Sequence, residues 1–189
     1  MAIVLSAVAG GGVSSAASTS GSLTRSGSQT RTTITTVADD TLRATVRLQR
    51  LGRYRASVQM TSDVTDCAAH SYGEVHRFFL ANPCLRLYRG LVQVQDREHV
   101  LLIAIATVEM PDYDTATRLK ELFARSGNGD VTQLSRERGR YRYVTFDHAS
   151  TKLTRRGTSV SVVQAQPVGL TPRTAALDYL ISYYMSSLR

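Results

Sequence analysis

The chain of 189 residues has no tryptophan, two lysines, two cysteines and four prolines. Each scarcity narrows the possibilities. Without tryptophan, the nine tyrosines and four phenylalanines must supply the aromatic anchors of any core. The cysteines, Cys67 and Cys84, are even in number and sparse. That suits one disulfide in an oxidising compartment, or two buried thiols in a cytosolic protein. No lysine or arginine precedes Arg25, so the apolar start at residues 2–17 lacks the basic flank of a signal peptide. Gly10, Gly11 and Gly12 interrupt that start well short of the ~20 apolar residues of a membrane span. No glycine-rich phosphate loop is present. Gly10–Gly12 has no following Lys-Ser/Thr, and Gly127-x-Gly129 follows a helical pattern rather than a strand, as a helix stop and turn would.

What is present is apolar and basic. Hydrophobic residues make up 42% of the chain, enough for one domain core, and the net charge is +8. Of the 23 basic residues, 21 are arginine. A GC-rich coding sequence accounts for that bias together with abundant Ala, Gly, Val and Thr. An arginine-rich anion-binding face is the functional alternative, because the planar guanidinium grips phosphate and carboxylate through paired hydrogen bonds. The densest groups are Arg43, Arg47, Arg53 and Arg55, then Arg136, Arg138, Arg140 and Arg142 interleaved with Tyr141 and Tyr143. These eight are the candidate anion-binding residues. Their expected partners are other envelope proteins or an anionic membrane surface, with nucleic acid less favoured.

Residues 1–38 read as an apolar start followed by a flexible Ser/Thr/Gly-rich linker, and residues 39–189 as a single domain. Within the domain, Leu42, Ala44, Val46 and Leu48 alternate with polar residues. After Gly52, so do Tyr54, Ala56, Val58 and Met60, which predicts a β-hairpin over 42–60. Residues 69–81 predict a short helix stopped by Asn82-Pro83. Two strands follow at 85–95 and 99–110, the second apolar enough to be buried on both faces. A helix opens at Pro111-Asp112 and runs to about Arg125. A third strand pair is expected at 140–147 and 158–166, and a last helix from Thr171-Pro172 to Leu188. The expected fold is α+β: an antiparallel sheet of about three hairpins, with three helices packed on one face or around an edge.

Chemistry-bearing constellations are weak. Cys67, His70, His76 and Cys84 are ligand-competent but lack the tight paired spacing of structural zinc sites. Glu109, Asp112 and Asp114 form a local carboxylate cluster that helix-start electrostatics already explains. No catalytic residue, metal ligand or cofactor is therefore assigned. Cross-linking Cys67 to Cys84 around the first helix requires the Asn82-Pro83 segment to fold back, so that the Cα atoms approach to about 6 Å.

The segments Asp66–Gly73, Phe79, Asn82-Pro83-Cys84 and Leu87-Tyr88-Arg89, continued by Val108–Pro111 and Gly127–Val131, resemble uncharacterised actinobacterial proteins. Those are membrane-anchored or secreted, with one extracytoplasmic α+β domain. The resemblance implies location rather than activity. The resulting expectation is a non-enzymatic extracytoplasmic domain, tethered or secreted, with a binding or envelope-assembly role. The alternative is an arginine-rich nucleic-acid-binding module in the cytoplasm.

Overall fold

The most apolar run of the chain, at 99–109, becomes the middle strand of a five-stranded antiparallel sheet in the computed structural model. The structure describes residues 25–188 apart from 98, 126 and 170–174. In chain order the elements are α1 (Arg25–Arg50), β1 (Tyr54–Val64), a 3-10 turn (Ala68–His70), α2 (Gly73–Ala81), β2 (Arg86–Asp96), β3 (His99–Glu109), α3 (Tyr113–Phe123), α4 (Leu134–Glu137), β4 (Thr151–Arg156), β5 (Ser159–Pro167) and α5 (Ala175–Ser187). The sheet order is β1-β2-β3-β5-β4, and every neighbouring pair is antiparallel.

Strand alternation sends apolar side chains to both sides, so both sides must be covered. Val92, Val94, Leu101, Ile103, Ile105 and Val163 face α1 and α5, where Leu48, Leu177, Leu180, Ile181 and Tyr184 meet them. On the opposite side, Leu87, Val108 and Val160 receive Val75 and Phe79 of α2 and Ala116 and Leu119 of α3. Beyond them, Leu91, Leu102 and Ala104 are covered by Leu134 of α4 and by Tyr141, Val144 and Phe146 of the following loop. Helices therefore lie on both faces of the sheet rather than on one face or around an edge.

Several expectations are met within a residue or two: β2, β3, α3, β5 and the buried face of α5; the helix expected over 69–81 ends as expected but begins at Gly73, after a separate 3-10 turn. The α+β class and the antiparallel sheet hold, with five strands and five α-helices among the described residues. Three expectations are corrected. Residues 42–48 are not a strand but the last two turns of α1, whose buried positions are Val37, Thr41, Ala44, Thr45 and Leu48. Those follow the helical period, whereas Leu42 and Val46, inward in a hairpin, are 55% and 38% exposed. Helix α1 also begins at Arg25, inside the stretch read as linker, while residues 1–24 lie outside the described residues. The strand expected at 140–147 is a loop after α4, and the last hairpin is instead β4–β5, turning at Gly157-Thr158. The Thr171-Pro172 helix start lies outside the described residues.

β1 changes sides along its length. Val58 pairs with Val92, but Met60 pairs with Leu91, so Gln59 is an inserted residue. A bulge of one residue reverses which face the following side chains take. Tyr54, Ala56 and Val58 pack toward α1 and α5, whereas Met60 and Val64 pack on the other side.

Candidate ligand pocket

The C-terminal end of α3, the 127–130 loop, the turn at 147–148 and strands β4 and β5 enclose a cavity of about 470 Å³. Phe123, Ala124, Leu153 and Val162 give it apolar walls. Its polar lining comes from Tyr72, Arg125, Asp130, Asp147, His148 and Thr151. A concave site of this size with apolar walls and a few convergent polar groups has the properties of a small-ligand pocket.

Asp130, at its floor, is only 5% exposed. Its carboxylate accepts from the Val131 N–H at Oδ1 (2.7 Å) and from Gln164 Nε2 at Oδ2 (2.6 Å). Gln133 Nε2 donates to Gln164 Oε1 at 2.8 Å, which fixes the orientation of the Gln164 amide. Gln164 Nε2 also lies 2.9 Å from His148 Nδ1, and His148 Nδ1 lies 3.5 Å from Asp130 Oδ2. The two Gln164 amide hydrogens thus reach the carboxylate and the imidazole. In that arrangement His148 Nδ1 is an acceptor and the ring proton sits on Nε2. Burial pushes the Asp130 carboxyl above its ordinary value, and the hydrogen bonds from Val131 and Gln164, joined by the His148 charge when that ring is protonated, only partly offset it. His148 holds a positive φ of 62°, uncommon for a residue with a side chain. The Ala149 N–H donates to Asp147 Oδ1 (3.1 Å) and closes that turn.

The floor is held in place from the far side of the sheet end. Ser71 and Val131 form a β-bridge; Tyr72 N–H donates to Asp130 O (3.0 Å) and Thr132 N–H to His70 O (2.8 Å). The Glu74 N–H, in the first turn of α2, donates to Asn128 O (2.6 Å). The two chains cross so closely that a Cβ on Gly129 would lie 2.1 Å from Tyr72 O, and one on Gly73 would lie 2.8 Å from Asn128 O. Both glycines also have positive φ. The Gly127-x-Gly129 segment is thus more than a helix stop, since its second glycine permits the crossing that positions Asp130. The 3-10 turn and α2 are tied in turn to the start of β2, because the Cys67 and Cys84 sulfurs lie at bonding distance with Cα atoms 6.1 Å apart.

A charged cluster adjoins this support. The Arg89 side chain, 3% exposed, pairs with Glu137 through Nη1 and through Nη2 (3.2 Å) and donates to Thr132 O (2.9 Å). His70 Nδ1 lies 2.9 Å from the same Glu137 carboxylate. Burial pushes Glu137 up, but hydrogen bonds and charge from Arg89 and His70 bring it below its ordinary value.

The arginines singled out in the sequence are scattered rather than gathered. Arg43 and Arg47 are exposed on α1, not on a strand beside Arg53 and Arg55. Arg53 stacks over Tyr54 and lies 3.6 Å from Asp96. Arg136 lies over the ring of Tyr72, Arg138 donates to Thr61 O, and Arg142 is exposed. One convergence across the two groups exists. Arg140 donates to Gln93 Oε1, and Arg55 stands opposite Gln95, beside an open depression lined by both glutamines.

The other candidates are structurally engaged. Glu109 is buried and accepts from Thr158 and Ser159, while Asp112 caps α3 by accepting from the Thr115 N–H (2.8 Å). That hydrogen bond, foremost, holds the Asp112 carboxyl below its ordinary value. His76 Nδ1 lies 2.8 Å from Ala68 O. Among the described residues, no group of His, Cys, Asp and Glu is arranged to hold a metal ion, and no helix is long and apolar enough to cross a membrane. Asp130, His148, Gln133 and Gln164 carry no motif in the sequence; of the four, Asp130 alone falls within the segments that bear the resemblance. No family model, curated protein or solved structure matches the chain.

Proposed function

We propose that the chain is a non-enzymatic extracytoplasmic domain, tethered or secreted, that binds a small ligand in the pocket above Asp130. The observation that carries this reading is the cavity of about 470 Å³ lined by Asp130 and His148, both held from behind by Gln164, which Gln133 orients. Building such a floor costs desolvation, which a purely structural core avoids by using apolar residues. The Cys67–Cys84 pairing supports an oxidising compartment and stiffens the segments that fix Asp130.

Thermal unfolding of the full chain against a panel of small polar compounds tests the pocket, with Leu153→Trp as a variant whose cavity is filled. Compounds that raise the Tm of the wild type but not of the variant are the expected result. Equal shifts in both proteins, or none in either, count against the pocket. Thiol titration of protein purified from its native source tests the compartment: two reactive thiols under denaturing conditions would remove the extracytoplasmic reading.

A second reading is contact with an anionic surface, favoured by Arg140 on Gln93 and Arg55 opposite Gln95, two residues apart on β2. It predicts binding to anionic lipid vesicles, or to a short duplex, that weakens steeply with salt and weakens again in Arg55→Ala/Arg140→Ala. Salt-independent binding, or none near 50 mM salt, would remove it.

A further inference from the structure

We infer that the pocket ligand is a small organic cation, a primary amine on a compact apolar body, with Asp130 as its counter-charge. This deepens the pocket reading above and rests on it.

Asp130 is buried and engaged in hydrogen bonds from neutral donors, the Val131 N–H and the Gln164 amide. Its ionic neighbour among the described residues is His148, 3.5 Å away. The Gln164 amide, oriented by Gln133, offers His148 Nδ1 a hydrogen, and an Nδ1 that accepts belongs to an uncharged ring. In the arrangement in which Gln164 donates to Nδ1, the carboxylate has hydrogen-bond donors around it but no charge from His148. A buried anion in that state lacks the pairing that normally accompanies burial of charge.

The surroundings favour the same ligand. Asp147 adds a second carboxylate to the lining, against the single guanidinium of Arg125. Phe123, Leu153 and Val162 are the apolar surface that the rest of the molecule would cover. A volume of about 470 Å³ holds one small ring or a short branched chain together with its amine.

Benzylamine, benzyl alcohol and benzoate share one apolar body and differ in charge. Each is titrated into the full oxidised chain while the backbone amides of Ala124, Gly129 and Val162 are followed by NMR. Benzylamine is expected to shift all three amides and to bind at least tenfold more tightly than benzyl alcohol, with benzoate weakest. Asp130→Asn, which keeps the size of the side chain, is expected to erase the preference for the amine while the remaining amides stay in place. Benzyl alcohol or benzoate binding as well as the amine at these amides overturns the cation inference and leaves the pocket reading standing. So does an undiminished amine preference in Asp130→Asn. Shifts by none of the three compounds overturn the inference and the pocket together.

Discussion

Glu137 shows how one carboxylate sets the state of its neighbours. It balances Arg89, which is almost wholly buried, and it holds His70. Glu137→Gln leaves the guanidinium without a counter-ion and is expected to cost about 2–3 kcal/mol, less than for a fully buried pair because water reaches Glu137. Arg89→Met combined with Glu137→Gln is expected to recover part of that loss in urea unfolding. A double variant weaker than the single one would refute the pairing. Asp130 carries the opposite pH signature. Its carboxyl is raised by burial, so the cost of ionising it is absent below the ordinary carboxylate range and grows as pH rises through the raised value. The wild type is therefore expected to gain stability relative to Asp130→Asn on going from pH 7 toward pH 4. Unfolding curves at the two pH values decide this, and a trend of the other sign would contradict it. Asp112, lowered by the Thr115 N–H, behaves conversely, its contribution fading as pH falls through the lowered value.

At the scale of the element, α1 gives the sharpest test. Leu42 and Leu48 would share one buried strand face in a hairpin, yet the helix buries Leu48 completely and leaves Leu42 55% exposed. Leu48→Ala is expected to cost about 2–5 kcal/mol, and Leu42→Ala less than about 0.5 kcal/mol, in equilibrium unfolding. Comparable losses would restore the strand. The misreading has a physical origin. Thr41 and Thr45 occupy buried helix positions by returning their hydroxyls to Val37 O and Thr41 O, and Thr45 also meets Tyr184 Oη (3.0 Å). Polar letters at inward positions concealed the 3.6-residue period, and the four apolar residues left over fit a period of two. The stretch 140–147 misleads for a related reason: Tyr141, Val144 and Phe146 cover the sheet from a loop, where no period applies. Elements whose burial is carried by apolar residues, such as β3 and α5, were legible. The pocket was not, because Asp130, His148 and Gln164 are far apart in sequence and meet only through sheet order and the Gly73–Gly129 crossing.

For the whole molecule, the link between Cys67 and Cys84 joins the 3-10 turn to the start of β2, and the Ser71–Val131 bridge carries that constraint to the pocket floor. Closing this 17-residue separation is worth about 3 kcal/mol through restriction of the unfolded chain. Reduction, or Cys67→Ala/Cys84→Ala, is expected to lower the urea midpoint accordingly. It is also expected to speed hydrogen exchange at Tyr72 and Thr132 before exchange at the β2–β3 pairing. Uniform acceleration across the sheet would show that the pocket support is not a separate cooperative unit.

The extra residue at Gln59 makes β1 a hinge pin between the side of the sheet covered by α1 and α5 and the side that carries the pocket. Its first half is anchored in one interior and its second half in the other, so neither can slide without dragging its counterpart. Excising Gln59 alone would place Met60 directly after Val58 and make the pairing with β2 regular, whereas excising any other single residue would turn part of the strand to the wrong surface. A change of one residue in this strand is therefore tolerable only at the bulge itself.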